Sequence, residues 1–377
     1  MNRFSLFFLT LLLLTIGCRA AAPTPTPQPA APPPPTLTAA PAATATPLPA
    51  QPAWQTEAVR WVVDDVPVEG TLTLPAGDGP FPAVLLVAGS GPTDRDWNSP
   101  LLPGTNGSAA LLATLLTENG YATLRYDKRV AGPSAAANLP QMVGKVSLQG
   151  HLDEVAGGVR LLAAQPGVDP ARIYGLGNSE GALHVLNYQR QAQTLPFAGL
   201  ILAAPPGRPL GELMRSQLAA QLQGAVIDPE GTLTLYDEAM ARFLAGEPAN
   251  PSPELPDGIS QLLNGLEIPL NLPFTREIMS ADPVEWLVEI GVPVVVIIGR
   301  KDVQVDWQVD GARLQSAAAG MADVSFAFPQ DADHVLKYET KGAGSLTSAD
   351  ALRYNQAGRL LDGETTTILL TWLAGQE

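Results

Sequence analysis

The sequence predicts an α/β domain with a mostly parallel central sheet flanked by helices. Three observations point there. Short runs rich in Val, Ile and Leu recur along residues 54–377. They are continuous rather than alternating, as strands covered on both faces require. Segments with helical spacing of apolar residues stand between most of them, the pattern of a sheet built with crossover helices.

The elements follow in order. Thr56–Asp64 and Val68–Leu74 have strand composition and suit an opening hairpin around Asp64, Asp65 and Pro67. Pro82–Ala88 (PAVLLVA) is a third strand and ends in glycines. Ser108–Asn119 reads as a helix with Ser108 as its cap and a stop at Gly120. Tyr121–Tyr126 is a strand followed by charge. His151–Ala164 carries Leu152, Val155, Val159 and Leu162 at spacings of three and four, which predicts a helix. Arg172–Gly177 is a strand that leads directly into a helix over Ser179–Gln191. Phe197–Ala203, Pro293–Ile298 and Asp323–Phe328 complete the strands, with later helices at Val309–Ala319 and Thr365–Ala374. The interval Pro205–Pro283 breaks the rhythm. It holds helices over Leu213–Gln223 and Leu235–Leu244 and then Pro248, Pro251, Pro253 and Pro256. This predicts a helical cap insertion at the sheet edge, with Leu213, Leu218, Met240 and Phe243 as candidates for an apolar pocket.

The first 53 residues are of another kind. Arg3 precedes thirteen uncharged, mostly apolar residues, Phe4 to Ile16, the length of a secretion-signal core and short of a membrane span. The run closes Thr15-Ile16-Gly17-Cys18, similar to a bacterial lipoprotein box, although Thr15 stands where leucine is usual. Residues 1–17 are therefore expected to be a signal peptide and Cys18 the lipidated first residue of an exported, membrane-anchored cell-envelope protein. Residues 18–53 are expected to be a Pro/Ala/Thr-rich linker. Twelve prolines lie between Pro23 and Pro52. Such a stretch favours an extended polyproline form, at ~3.1 Å per residue a spacer of up to roughly 100 Å.

Composition narrows the chemistry. The 377 residues carry a net charge of −15, and Arg3 and Arg19 are the only charges before Trp54, so residues 54–377 carry −17. That balance argues against nucleic acid as a partner. One cysteine and three histidines cannot form a cysteine-ligated zinc site or an iron–sulfur cluster, and one cysteine makes no disulfide within the chain. Neither a metal nor an organic cofactor is expected.

The strongest motif is Gly177-Asn178-Ser179-Glu180-Gly181, a G-x-S-x-G between a strand and a helix. So tight a turn forces an unusual backbone on the serine, and flanking glycines remove the collisions. Ser179 is the candidate nucleophile. A serine hydroxyl needs a base. His184 lies five positions further on the same helix, roughly 140° round, and is expected to be packed or at the surface. His151 starts a helix and is expected to cap it or face solvent. His334 follows the last strand, in a loop on the edge where such sheets carry chemistry, and is the candidate base. Asp302 follows the penultimate strand and is the candidate acid to orient it, with Asp306, Asp331 and Asp333 as alternatives. The order Ser179, Asp302, His334 is nucleophile, acid, base. An oxyanion site needs two backbone N–H groups. Glu180 supplies one, and the loop Gly89-Ser90-Gly91-Pro92 the other, through Ser90 or its neighbour Gly89. The charges Asp94, Arg95, Asp96, Asp127, Lys128 and Arg129 fall in two loops at strand ends and suit either an ion-pair network or substrate contact.

Ala88 to Asn98 (AGSGPTDRDWN), Arg125 to Ser134 (RYDKRVAGPS), the elbow GNSEG and Gly299 to Val305 (GRKDVQV) resemble the bacterial EstD-like carboxylesterases of the α/β-hydrolase superfamily. The likeness runs from about Val62 to the C-terminus. It implies an α/β-hydrolase fold and a serine esterase acting on a small-molecule ester, with the triad carried over onto Ser179, Asp302 and His334. The chain departs from the pattern at Ala88 and Asn178, where histidine is common, and at Trp97, where a small residue is usual. A serine peptidase, amidase or acyltransferase would share the chemistry. A non-catalytic ligand-binding lipoprotein is the reading of a different class.

Overall fold

The structure, a computed structural model, describes residues 54–192, 194–223 and 225–376. The signal, lipidation and linker expectations for residues 1–53 lie outside the described residues.

Eight strands form one sheet in the order β1-β2-β4-β3-β5-β6-β7-β8. β1 (Trp54–Val63) and β2 (Val66–Pro75) make the antiparallel hairpin, with Asp64 and Asp65 at φ 50° and 65° in its two-residue turn. Positive φ at both turn positions matches the twist of the flanking strands. β2 also runs antiparallel to β4. β3 (Phe81–Val87), β4 (Ala122–Tyr126), β5 (Val168–Asn178), β6 (Gly199–Ala203), β7 (Val294–Ile297) and β8 (Val324–Ala327) pair with one another in parallel. β5 starts four residues earlier than its apolar run, because Val168 pairs with Phe81 before the register shifts.

The alternation within β3 shows the layering. Leu85 and Val87 join one core and Val84 and Leu86 the other. On the first face lie α3 (Leu148–Ala163), α4 (Glu180–Gln191), α9 (Pro283–Leu287) and α10 (Asp310–Ala317), through residues such as Val155, Leu183, Leu287 and Leu314. On the second lie α1 (Ser108–Glu118) and α11 (Gly363–Ala374), through Leu112, Leu116, Leu369 and Leu373. The short α2 (Ala135–Asn138) follows β4. Both faces are thus covered over the central strands, while β1 and β8 keep exposed positions at the two sheet edges.

Ser108 does not cap α1. The cap is Gly107, at φ 68°, and the Ser108 hydroxyl donates to Asn106 Oδ1 at 2.6 Å. The helix ends as its sequence predicts, with Gly120 at φ 88° and its N–H on Thr117 O.

Between β6 and β7 the chain inserts α5 (Leu210–Leu222), α6 (Pro229–Leu244), α7 (Asp257–Leu266) and α8 (Phe274–Ser280). Two of these helices, α7 and α8, lie in or beyond the Pro-rich stretch, where the sequence signalled no helix. α6 begins at Pro229, because Asp228 caps it from Gly231 N and proline suits the first turn. The four helices close around a core of their own that includes Leu218, Tyr236, Phe243, Ile259 and Leu263. No helix among the described residues is long and apolar enough to cross a membrane.

Candidate active site

The turn from β5 to α4 sets Ser179 at φ 55°, ψ −122°, a conformation costly for any residue but glycine. Its neighbours explain the motif. A Cβ on Gly177 would lie 2.2 Å from Gly181 O, and one on Gly181 would lie 2.4 Å from Val87 O. Neither position admits a side chain. The Ser179 N–H donates to Ala203 O at 2.8 Å, which pins the turn to β6. On the other side, a Cβ on Gly89 would meet Asn178 O at 3.1 Å and Ser179 Cβ at 3.2 Å, so the glycine loop after β3 lies directly against the serine.

His334 sits in the loop after β8, buried, with Nδ1 2.8 Å from Asp302 Oδ2. The Asp302 side chain is fully buried. Its other oxygen accepts Gln304 N–H at 2.7 Å and Val305 N–H at 2.9 Å. The other carboxylates considered from sequence are committed elsewhere. Asp306 accepts Gln308 N–H, Asp331 pairs with Lys301 at 2.7 Å, and Asp333 pairs with Arg359 at 2.7 Å. Ser179 and His334 line one cleft together with Gly89 and Ser90.

That cleft holds about 900 Å³ of empty space, its open mouth included. Leu210, Leu213 and Met214 of α5 and Met279 of α8 form an apolar wall. Of the four pocket residues expected from sequence, Leu213 lines the cleft, and Leu218, Met240 and Phe243 do not. Those three point into the insertion's own core. α5 has two apolar faces, and composition could not tell which one met the cleft.

Asn178 has a part that its place in the motif does not announce. Its amide donates to His334 O at 3.0 Å and lies 3.3 Å from Ala203 O, so one side chain joins the serine turn to the histidine loop.

The two remaining histidines are both buried. His184 is packed in the interior rather than at the surface. His151 neither caps α3 nor faces solvent. Ser147 caps that helix, and the His151 ring lies 4.5 Å from that of His184. His151 Nδ1 is 3.2 Å from Glu154 Oε2, and His184 Nε2 is 3.2 Å from Glu180 Oε1. Burial and His151 push His184 down to about 4, so it is neutral at pH 7. Burial alone would raise the Glu180 carboxyl, but the Lys128 charge and the His184 contact hold it down to about 2.

The charged loops form ion pairs. Arg95 meets Asp127 at 2.5 Å, Arg125 meets Asp96 at 2.6 Å, and Arg129 meets Glu154 at 2.8 Å. Asp94 accepts the N–H groups of Asp96 and Asn98 and so folds its own loop. Neither these residues nor Lys128 are among those lining the cleft. Among the described residues no group of three or more His, Cys, Asp or Glu is placed to hold a metal ion.

A mostly parallel eight-stranded sheet with a serine elbow after β5, and loops after β7 and β8 bearing aspartate and histidine, is the α/β-hydrolase fold. No protein-family model matches the chain. The chain is similar to Esterase EstD of Thermotoga maritima, 26% identical over 291 residues, which takes in 75% of this chain. It spans only 61% of that relative's length. Among solved structures it is similar to the Pyrococcus furiosus esterase PF2001, at a TM-score of 0.50 and 17% identity, covering 86% of this chain and 91% of that one.

Proposed function

We propose that the protein is a serine carboxylic ester hydrolase working through an acyl-enzyme. One observation carries the reading: Ser179, on a strained elbow, opens into the same cleft as a histidine held 2.8 Å from a buried aspartate. Ser179 Oγ attacks the acyl carbon while His334 Nε2 takes its proton. Asp302 holds the ring and offsets the charge it gains. The N–H groups of Ser90 and Glu180 face the oxyanion of the tetrahedral intermediate. Collapse expels the alcohol, which receives the proton from His334. Water, deprotonated by His334, then releases the acid. The apolar wall from α5 and α8 suits a hydrocarbon acyl or alcohol group. No step calls on a metal or cofactor. The similarity to an esterase supports this choice of bond.

A fluorophosphonate probe is expected to label the wild-type protein on the peptide that contains Ser179, and p-nitrophenyl esters are expected to turn over. Faster cleavage of aminoacyl anilides than of esters would move the reading to a peptidase. No labelling and no turnover would leave a ligand-binding protein.

For location, the segment Thr15–Cys18 supports export and lipid anchoring in the cell envelope. In a bacterial host, Cys18→Ala is expected to abolish incorporation of labelled palmitate and release the protein from membranes. Unchanged fractionation and labelling would refute the anchor.

A further inference from the structure

Lys128 lies after β4, is almost wholly buried and is not itself among the residues lining the cleft. Its ammonium donates to Gly89 O at 2.5 Å and stands 3.6 Å from Glu180 Oε1. These two partners belong to the two segments that carry the oxyanion donors.

A trans peptide is planar, with its C=O and N–H pointing to opposite sides. A Gly89 carbonyl turned toward Lys128 therefore sends the N–H of Ser90 away from Lys128. The next carbonyl is held as well, since Thr93 Oγ1 donates to Ser90 O at 2.7 Å. A glycine at 89 has little intrinsic preference for one orientation of that plane. In the reversed orientation a carbonyl oxygen would meet the developing negative charge and repel it. Lys128 also answers a second difficulty. The Glu180 carboxylate is buried one residue from the nucleophile, and on its own its charge would oppose an oxyanion there.

We propose that Lys128 is a positioning residue for the oxyanion site: it fixes the Gly89–Ser90 peptide with the N–H toward the reacting carbonyl and neutralises Glu180 behind it. The inference rests on the esterase reading above. Burial holds the Lys128 ammonium below the usual lysine range, and the Glu180 carboxylate beside it opposes that shift.

The test is steady-state hydrolysis of p-nitrophenyl butyrate by the full chain. Lys128→Met is expected to lower kcat about 10²–10³-fold, the range for loss of one oxyanion donor, with KM within threefold of wild type. Lys128→Arg, which keeps a charged donor, is expected to recover at least about tenfold of that loss. Because Lys128→Met strands a buried carboxylate, Lys128→Met/Glu180→Gln serves as the variant with no stranded charge. It keeps the Glu180 backbone donor and is expected to remain at least about tenfold below wild type in kcat. A folded Lys128→Met or double variant with kcat within threefold of wild type overturns the proposal, and so does a loss carried by KM. A wild-type protein that neither hydrolyses the ester nor reacts with a fluorophosphonate would instead remove the esterase reading itself.

Discussion

Ser179→Ala is expected to lower kcat for p-nitrophenyl butyrate by roughly 10⁵–10⁶-fold while leaving KM within a few-fold. In the proposed mechanism Ser179 Oγ attacks the acyl carbon rather than anchoring the ester, so the loss is expected to fall on the chemical step. A residual rate above that of water would persist, because the Ser90 and Glu180 donors and the cleft remain. Stability should not fall with it. Alanine keeps the backbone at φ 55° and the Ser179 N–H on Ala203 O. Steady-state kinetics beside a thermal melt check both halves. A variant within about 100-fold of wild type would show that another group attacks the ester.

Asp302→Asn is expected to cost about 10⁴-fold in kcat with the fold intact. The reasoning is one of hydrogen-bond direction. Asp302 Oδ1 accepts two backbone N–H groups, from Gln304 and Val305, so in the variant the amide oxygen must stay there. The amide NH₂ then faces His334 Nδ1, where the carboxylate oxygen now stands at 2.8 Å. Two donors cannot meet, so the ring keeps its proton on Nε2 and Nδ1 becomes the acceptor. With Nε2 protonated, the imidazole cannot take the proton of Ser179. Proton resonances of the ring would show the tautomer, and the kinetics its consequence. A variant losing less than tenfold would place the orienting carboxylate elsewhere.

Sequence carried the sheet and the elbow because each is a local statement. Pro82–Ala88 and Arg172–Gly177 are strands by composition alone, and their glycines announce the tight turns beyond them. The chain order of serine, aspartate and histidine followed from loops at strand ends. Spacing is silent about which buried groups meet across elements. His151 read as a cap because it begins an apolar period, but Ser147 starts the helix one turn earlier. Lys128 suited an ion pair or a substrate contact and Glu180 was read for its backbone N–H, and nothing in their spacing announces that the two side chains meet. Asn178 looked like a departure from a pattern, and its bond to His334 O exists only once two loops are brought together. Of the wall of the cleft, the sequence pointed to Leu213 alone. Leu213 and Leu218 lie on one helix, and the choice between cleft and core depends on where α6 packs.

The insertion between β6 and β7 closes on a hydrophobic core separate from those of the sheet, and it meets the cleft through a few side chains of α5 and α8. On the proposed reading, bond-breaking and admission fall to two different layers of the fold. Substitutions at Leu210, Met214 or Met279 can alter which molecules enter without disturbing the serine turn or the histidine loop. Changes at Gly177, Gly181 or Asn178 have no such latitude, because a backbone or a second loop already occupies the space around them. A lineage of such proteins would be expected to diversify its diet through the insertion while its reaction stays the same.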